Sequence, residues 1–63
     1  MGRPPLKQAF TVSYEKSGRE VQRYTITALT QIAAETEADS RFKRAHPEVD
    51  MADVSVSRRV EAH

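Results

Sequence analysis

The side chains that could do chemistry are few and scattered. His46 and His63 are the only histidines, and there is no cysteine. Asp50 and Asp53 lie close behind His46, yet their spacing matches no closed metal site, which requires a tetrahedral set of nitrogen and sulfur ligands. His46 instead precedes a proline where a helix should end, and there an imidazole suits the negative end of the helix dipole. A serine nucleophile sits in a strained glycine-flanked turn. None of Ser17, Ser40, Ser55 and Ser57 has that setting. Glu35, Glu37 and Asp39 form an exposed block and lack the burial that tunes a general acid. Phosphate-cradling loops use several glycines, and this chain has two. The expectation is a protein that is not an enzyme, with no catalytic residue, no cofactor and no metal.

Binding chemistry is left. The formal net charge is +1, from 10 Lys and Arg against 9 Asp and Glu. The charges fall in blocks: Glu35, Glu37 and Asp39, then Arg41, Lys43 and Arg44, then Glu48, Asp50 and Asp53, then Arg58 and Arg59. Separated patches of both signs suit recognition of one protein partner. A near-neutral total argues against a chain held to nucleic acid by phosphate neutralisation. The candidate partner-binding residues are Arg23, Arg58 and Arg59, with Glu35, Glu37 and Asp39. Adjacent residues on a strand point to opposite faces, so Arg58 and Arg59 would serve different surfaces. Charged edge residues also discourage aggregation. The alternative is a small DNA-binding or nucleoid-associated protein, using Arg3 and Lys7 of the N-terminal arm and Arg41, Lys43 and Arg44 of a basic helix end. Gly2-Arg3-Pro4 resembles the core of an AT-hook, and an arginine on an arm suits a narrow minor groove. The outer sheet face offers no aromatics for base stacking.

Length bounds the rest. A chain of 63 residues makes one small domain that buries roughly 60% of its unfolded surface. Without disulfides, such a domain is expected inside the cell. No apolar run approaches the roughly 20 residues that cross a bilayer, and no apolar leader follows Met1. The expectation is a cytoplasmic protein with no membrane partner.

The elements that position these residues follow from periodicity. Residues 1–8, with two prolines and a glycine, read as a flexible arm, and 9–62 as a single small α+β domain. Phe10, Val12 and Tyr14 alternate with Thr11, Ser13 and Glu15, the pattern of a half-buried strand. Tyr24, Ile26 and Ala28 alternate likewise, with Val21 on the outer face. A three-residue loop, Lys16-Ser17-Gly18, closed by glycine at positive φ, places both apolar sets on one face and pairs Val12 with Gln22. Thr30 is an N-cap candidate. Ala34, Ala38, Phe42 and Ala45 form one helical face, with acids in the first half of the helix and bases in the second, complementing its dipole. Pro47 ends the helix. Met51 to Val60 alternates again, with Val54, Val56 and Val60 inward and Arg58 interrupting that face. The order is ββαβ. The last strand can lie beside the first or the second. One helix covers only one face, and parallel sheets need both covered, so the expected fold is a three-stranded antiparallel sheet of order 2-1-3.

This layout resembles the short podophage-encoded proteins that inhibit bacterial RNA polymerase. Phe10-Thr11-Val12, Tyr24 to Thr30 and Val54 to Val60 stand where that family's strands stand. The resemblance implies binding to a jaw region of the polymerase large subunit. Arg58 and Arg59 would be the contacting arginines, and Glu35, Glu37 and Asp39 would repel promoter DNA. More broadly, the expected function is a small non-enzymatic protein-interaction module, a bacteriophage accessory protein that binds a host protein in the host cytoplasm. Either a monomer or a homodimer is compatible with the length.

Overall fold

The computed structural model describes residues 6–63; the Gly2-Arg3-Pro4 segment lies outside the described residues. The elements are β1 (Gln8–Lys16), β2 (Arg19–Ala28), α1 (Gln31–Ala45) and β3 (Val56–Ala62). They form a three-stranded sheet of order β2-β1-β3. Both pairings are antiparallel, giving the expected α+β fold. β1 is central and starts at Gln8, paired with Ala28, so the strand takes in the last residue of the expected arm.

The period-two pattern of β1 places Phe10, Val12 and Tyr14 beneath the helix, all buried. Ile26 joins them from β2, and Ala34, Ala38 and Phe42 from α1. Alanines let the helix backbone approach the sheet, and Phe42 fills the remaining depth. Thr30 caps the helix, its hydroxyl accepting the Ala33 N–H at 3.1 Å. At the other end the His46 N–H donates to the Phe42 carbonyl at 2.8 Å, just before Pro47. Ala45 is exposed and does not extend the core face. Val49 and Met51 of the following loop pack against the core instead. The first helical turn carries no acid, whereas Lys43 and Arg44 occupy the last. The dipole is therefore complemented at its C-terminal end, and the acidic block sits a turn too late to act at the other.

The hairpin differs from expectation in a way that preserves its faces. Its turn has two residues, because Lys16 pairs with Arg19. Ser17 (φ 53°) and Gly18 (φ 80°) are both left-handed, as a type I′ turn requires. A two-residue turn alone would put Arg23 and Thr25 under the helix. A register shift between Tyr14 and Glu15 prevents this: Glu15 pairs with Glu20 but Tyr14 with Gln22, leaving Val21 as the extra residue. The bulge moves the register by one and returns Tyr24 and Ile26 to the face of Val12 and Phe10. Val12 pairs with Tyr24, not Gln22.

The last strand begins later than its alternation suggests. Val54 is exposed because Asp50 and Asp53 build turns ahead of it. The Asp50 carboxylate accepts the Ala52 N–H at 2.9 Å. The Asp53 carboxylate accepts the Ser55 N–H at 2.9 Å and the Ser55 hydroxyl at 2.8 Å. These bonds, the backbone one first, hold the Asp53 carboxyl below the usual carboxylate range. Short polar side chains that bond nearby backbone compete with strand pairing in this way. The strand also runs beyond Val60 to Ala62.

The left-handed turn makes a prediction. Gly18→Ala should cost about 1 kcal/mol in urea denaturation, although no atom lies within 4 Å of the added Cβ. Ser17→Asn should raise stability by a few tenths of a kcal/mol, since asparagine tolerates this conformation better.

Candidate interaction surface

The two faces of the sheet divide the expected binding residues into separate groups. On the helix side, Arg58 pairs across the strands with Tyr14. Its guanidinium donates to Asp39 Oδ2 at 2.6 Å and lies 3.6 Å from Glu35 Oε1. The Tyr14 hydroxyl donates to the other Asp39 oxygen, Oδ1, at 2.6 Å. Asp39 is thus held from both sides, by a buried phenol and an arginine at the surface. Glu37 lies outside this group and pairs with Arg41 at 3.3 Å on the exposed helix surface.

The Tyr14 ring is fully buried. It stacks on Phe42 with centroids 4.1 Å apart and meets Tyr24 edge-on at 6.1 Å. Burial first, then the bond to Asp39, pushes the phenol well above its ordinary range. The bond to Asp39 likewise raises the Arg58 guanidinium. Phe42 leans on the His46 ring at 5.0 Å. His46 Nε2 lies 3.1 Å from Gln22 Oε1 and Nδ1 lies 3.5 Å from Glu48. His46 therefore ties the helix end to β2.

The opposite face has no helix over it. There Ser13 of β1 pairs with Arg23 on one side and with Arg59 on the other. The two arginines flank a serine that is buried although it lies on the uncovered face. Beside this row, Thr11 pairs with Glu61 and its hydroxyl bonds the His63 ring. On the other side Glu15 pairs with Glu20 and with Ser57. The result is a shallow polar recess of about 180 Å³ in which two arginines lie between acids. Arg23 is held by Glu20 at 2.9 Å. Arg59 makes no ion pair among the described residues, which leaves its donors open on this face.

The sequence placed Arg23 and Arg59 on one face and Arg58 on the other, and the register puts both first-named arginines beside one serine. It did not show that Arg58, Glu35 and Asp39 meet. Two signals point there: a tyrosine at a core position needs a partner for its hydroxyl, and an arginine on an apolar face needs an acid. Lys7, Arg41, Lys43 and Arg44 are exposed, with Arg41 engaged by Glu37 and Arg44 reaching Ser40 at 3.5 Å. Arg3 lies outside the described residues. Among the described residues no three His, Cys, Asp or Glu side chains gather as a metal site, and no helix is long and apolar enough to cross a membrane.

The Tyr14 environment makes a pH prediction. A phenol whose folded pKa is raised contributes stability in full below the unfolded value of about 10. That stability declines as pH climbs past it. Denaturant unfolding measured between pH 8 and about 11 should show this loss, and Tyr14→Phe should flatten it. At neutral pH Tyr14→Phe should cost about 1 kcal/mol, the net worth of one hydrogen bond. Arg58→Glu should cost more, because it faces Glu35 and Asp39 with a third carboxylate.

Compared with protein-family models, curated proteins and solved structures, the chain matches none of them.

Proposed function

We propose that this chain is a small protein-interaction module, without catalysis of its own, that grips a partner protein through the uncovered sheet face. The observation that carries the reading is the Arg23–Ser13–Arg59 row, with acids on both sides of it. A carboxylate of the partner would seat between the guanidinium groups, where arginine's planar fork binds such groups in two-point fashion. Basic groups beside that carboxylate would meet Glu15 and Glu61. This alternation of sign favours one complementary surface over a uniformly charged polymer.

In this reading the two adjacent arginines of β3 have different duties. Arg59 is a contact residue. Arg58, tied to Asp39 and Glu35, holds β3 against the helix and keeps Arg59 in place on the far side. The acidic side chains Glu35 and Asp39 are largely consumed by Arg58, so DNA repulsion would fall to Glu37 and its neighbours.

The size and ββαβ order support a narrower form of the proposal: a bacteriophage accessory protein whose host partner is the bacterial RNA polymerase large subunit. Titration of purified polymerase with labelled protein tests it. Arg59→Glu should weaken binding by roughly 10-fold or more, the usual scale for an interface arginine. Lys43→Glu, on the helix surface, should leave binding unchanged. No complex with polymerase would remove the narrower form. Equal effects of the two substitutions on whatever partner is found would remove the sheet face as the binding surface.

A further inference from the structure

The outer edge of β2 has no strand beside it, because the sheet order is β2-β1-β3. His63 N donates to the Ala9 carbonyl at 2.9 Å, so the peptide groups of Ala9 face β3. Peptide groups alternate sides along an antiparallel strand. Those of Phe10 and Val12 therefore face β2, where they meet Ile26 and Tyr24. It follows that the peptide groups of Arg23, Thr25 and Thr27 point away from the sheet. These three residues are spaced evenly about Thr25.

We propose that two copies of this chain pair antiparallel along β2, about a two-fold axis at Thr25, to form a six-stranded sheet. An isologous interface demands that each contact appear twice, with partners exchanged. This axis meets the demand. Thr25 faces Thr25 of the second copy, and Arg23 faces Thr27. Each of these pairs exchanges two hydrogen bonds, about six in all. Tyr24, half-buried in one chain, falls beside Ile26 of the other on the helix side. Val21 and Leu29, exposed at 39% and 54%, lie near the two ends of this pairing.

Charge and strand length select this register among its neighbours: an axis at Thr27 would leave only Ile26 to Ala28 to pair within the strand. An axis at Arg23 would oppose two arginines, and one at Val21 would oppose Arg19 and Arg23. At Thr25 no like charges meet: within the strand bounds Arg23 faces Thr27 and Gln22 faces Ala28. Tyr24 to Leu29 carries no charge at all, so this part of the edge lacks the lysines and prolines that normally protect edge strands. The β3 edge differs, since Arg58, Arg59 and Glu61 are charged along it. The pairing rests on the β2 edge alone, so it stands or falls apart from the reading of the open face.

Three measurements on the full chain decide it. Sedimentation velocity should show a concentration-dependent dimer boundary between micromolar and millimolar protein. Amide exchange should show protection of the Arg23, Thr25 and Thr27 N–H groups that grows with concentration. In this cysteine-free chain, Thr25→Cys should form a disulfide dimer on mild oxidation. The paired Cα atoms would be about 5.5 Å apart, within disulfide reach. Thr27→Cys should not, because four residues of offset separate the two copies by about 14 Å. Thr25→Pro removes an outward N–H and no bond to β1, so the dimer boundary should vanish while far-UV circular dichroism stays unchanged. A monomer at every concentration, or equal crosslinking of the two cysteine variants, would overturn the proposal.

Discussion

The structure depends on one residue, Tyr14. It sits near the end of the central strand, under the helix, and it is the point where every element meets. Its ring stacks on Phe42 of α1 and meets Tyr24 of β2 edge-on. Its hydroxyl reaches Asp39 of α1, which holds Arg58 of β3. A domain this small has little apolar surface to bury. It gains from a side chain that is apolar along its length and polar at its tip. The aromatic ring fills the core, and the hydroxyl, at the edge of that core, aligns an acid that recruits the third strand.

That arrangement explains why an arginine can lie on the inner face of β3. Charge removed from water without a partner is costly, and Arg58 has two carboxylates within 4 Å. The helix contributes both of them from positions one turn apart. The charge blocks of the sequence are thus partly spent within the molecule. The open sheet face keeps its own charges, with Arg23 and Arg59 flanking Ser13. The same strand, β1, therefore organises both surfaces: Phe10, Val12 and Tyr14 build the core and Thr11, Ser13 and Glu15 line the recess.

The elements were largely legible from period and caps. Alternation from Phe10 to Tyr14, the Thr30 cap, the Ala34–Ala38–Phe42 face and the stop at Pro47 each rest on local physics, and each is found. The sheet order followed from a single helix being unable to cover two faces. The hairpin turn was not legible. Its apolar pattern fixes only which face each residue takes, and two solutions share that parity: a three-residue loop, or a two-residue turn with a bulge. The Ser17-Gly18 dihedrals select the second. Val54 misled for a related reason. It fits the alternation, but Asp50 and Asp53 ahead of it hold the backbone in turns.

The sequence by itself determined the number and type of elements, most residues of the core and the separation of Arg58 from Arg59 across the sheet. These are properties of nearest neighbours and of periodicity. Only the tertiary structure decided which charges meet. Arg58 is 19 residues from Asp39, and Ser13 meets Arg59 from the far end of the chain. Their encounters depend on strand register and on the height of the helix above the sheet, which a single bulge at Val21 can reset. Register is a global property of the packed sheet, and no local pattern encodes it.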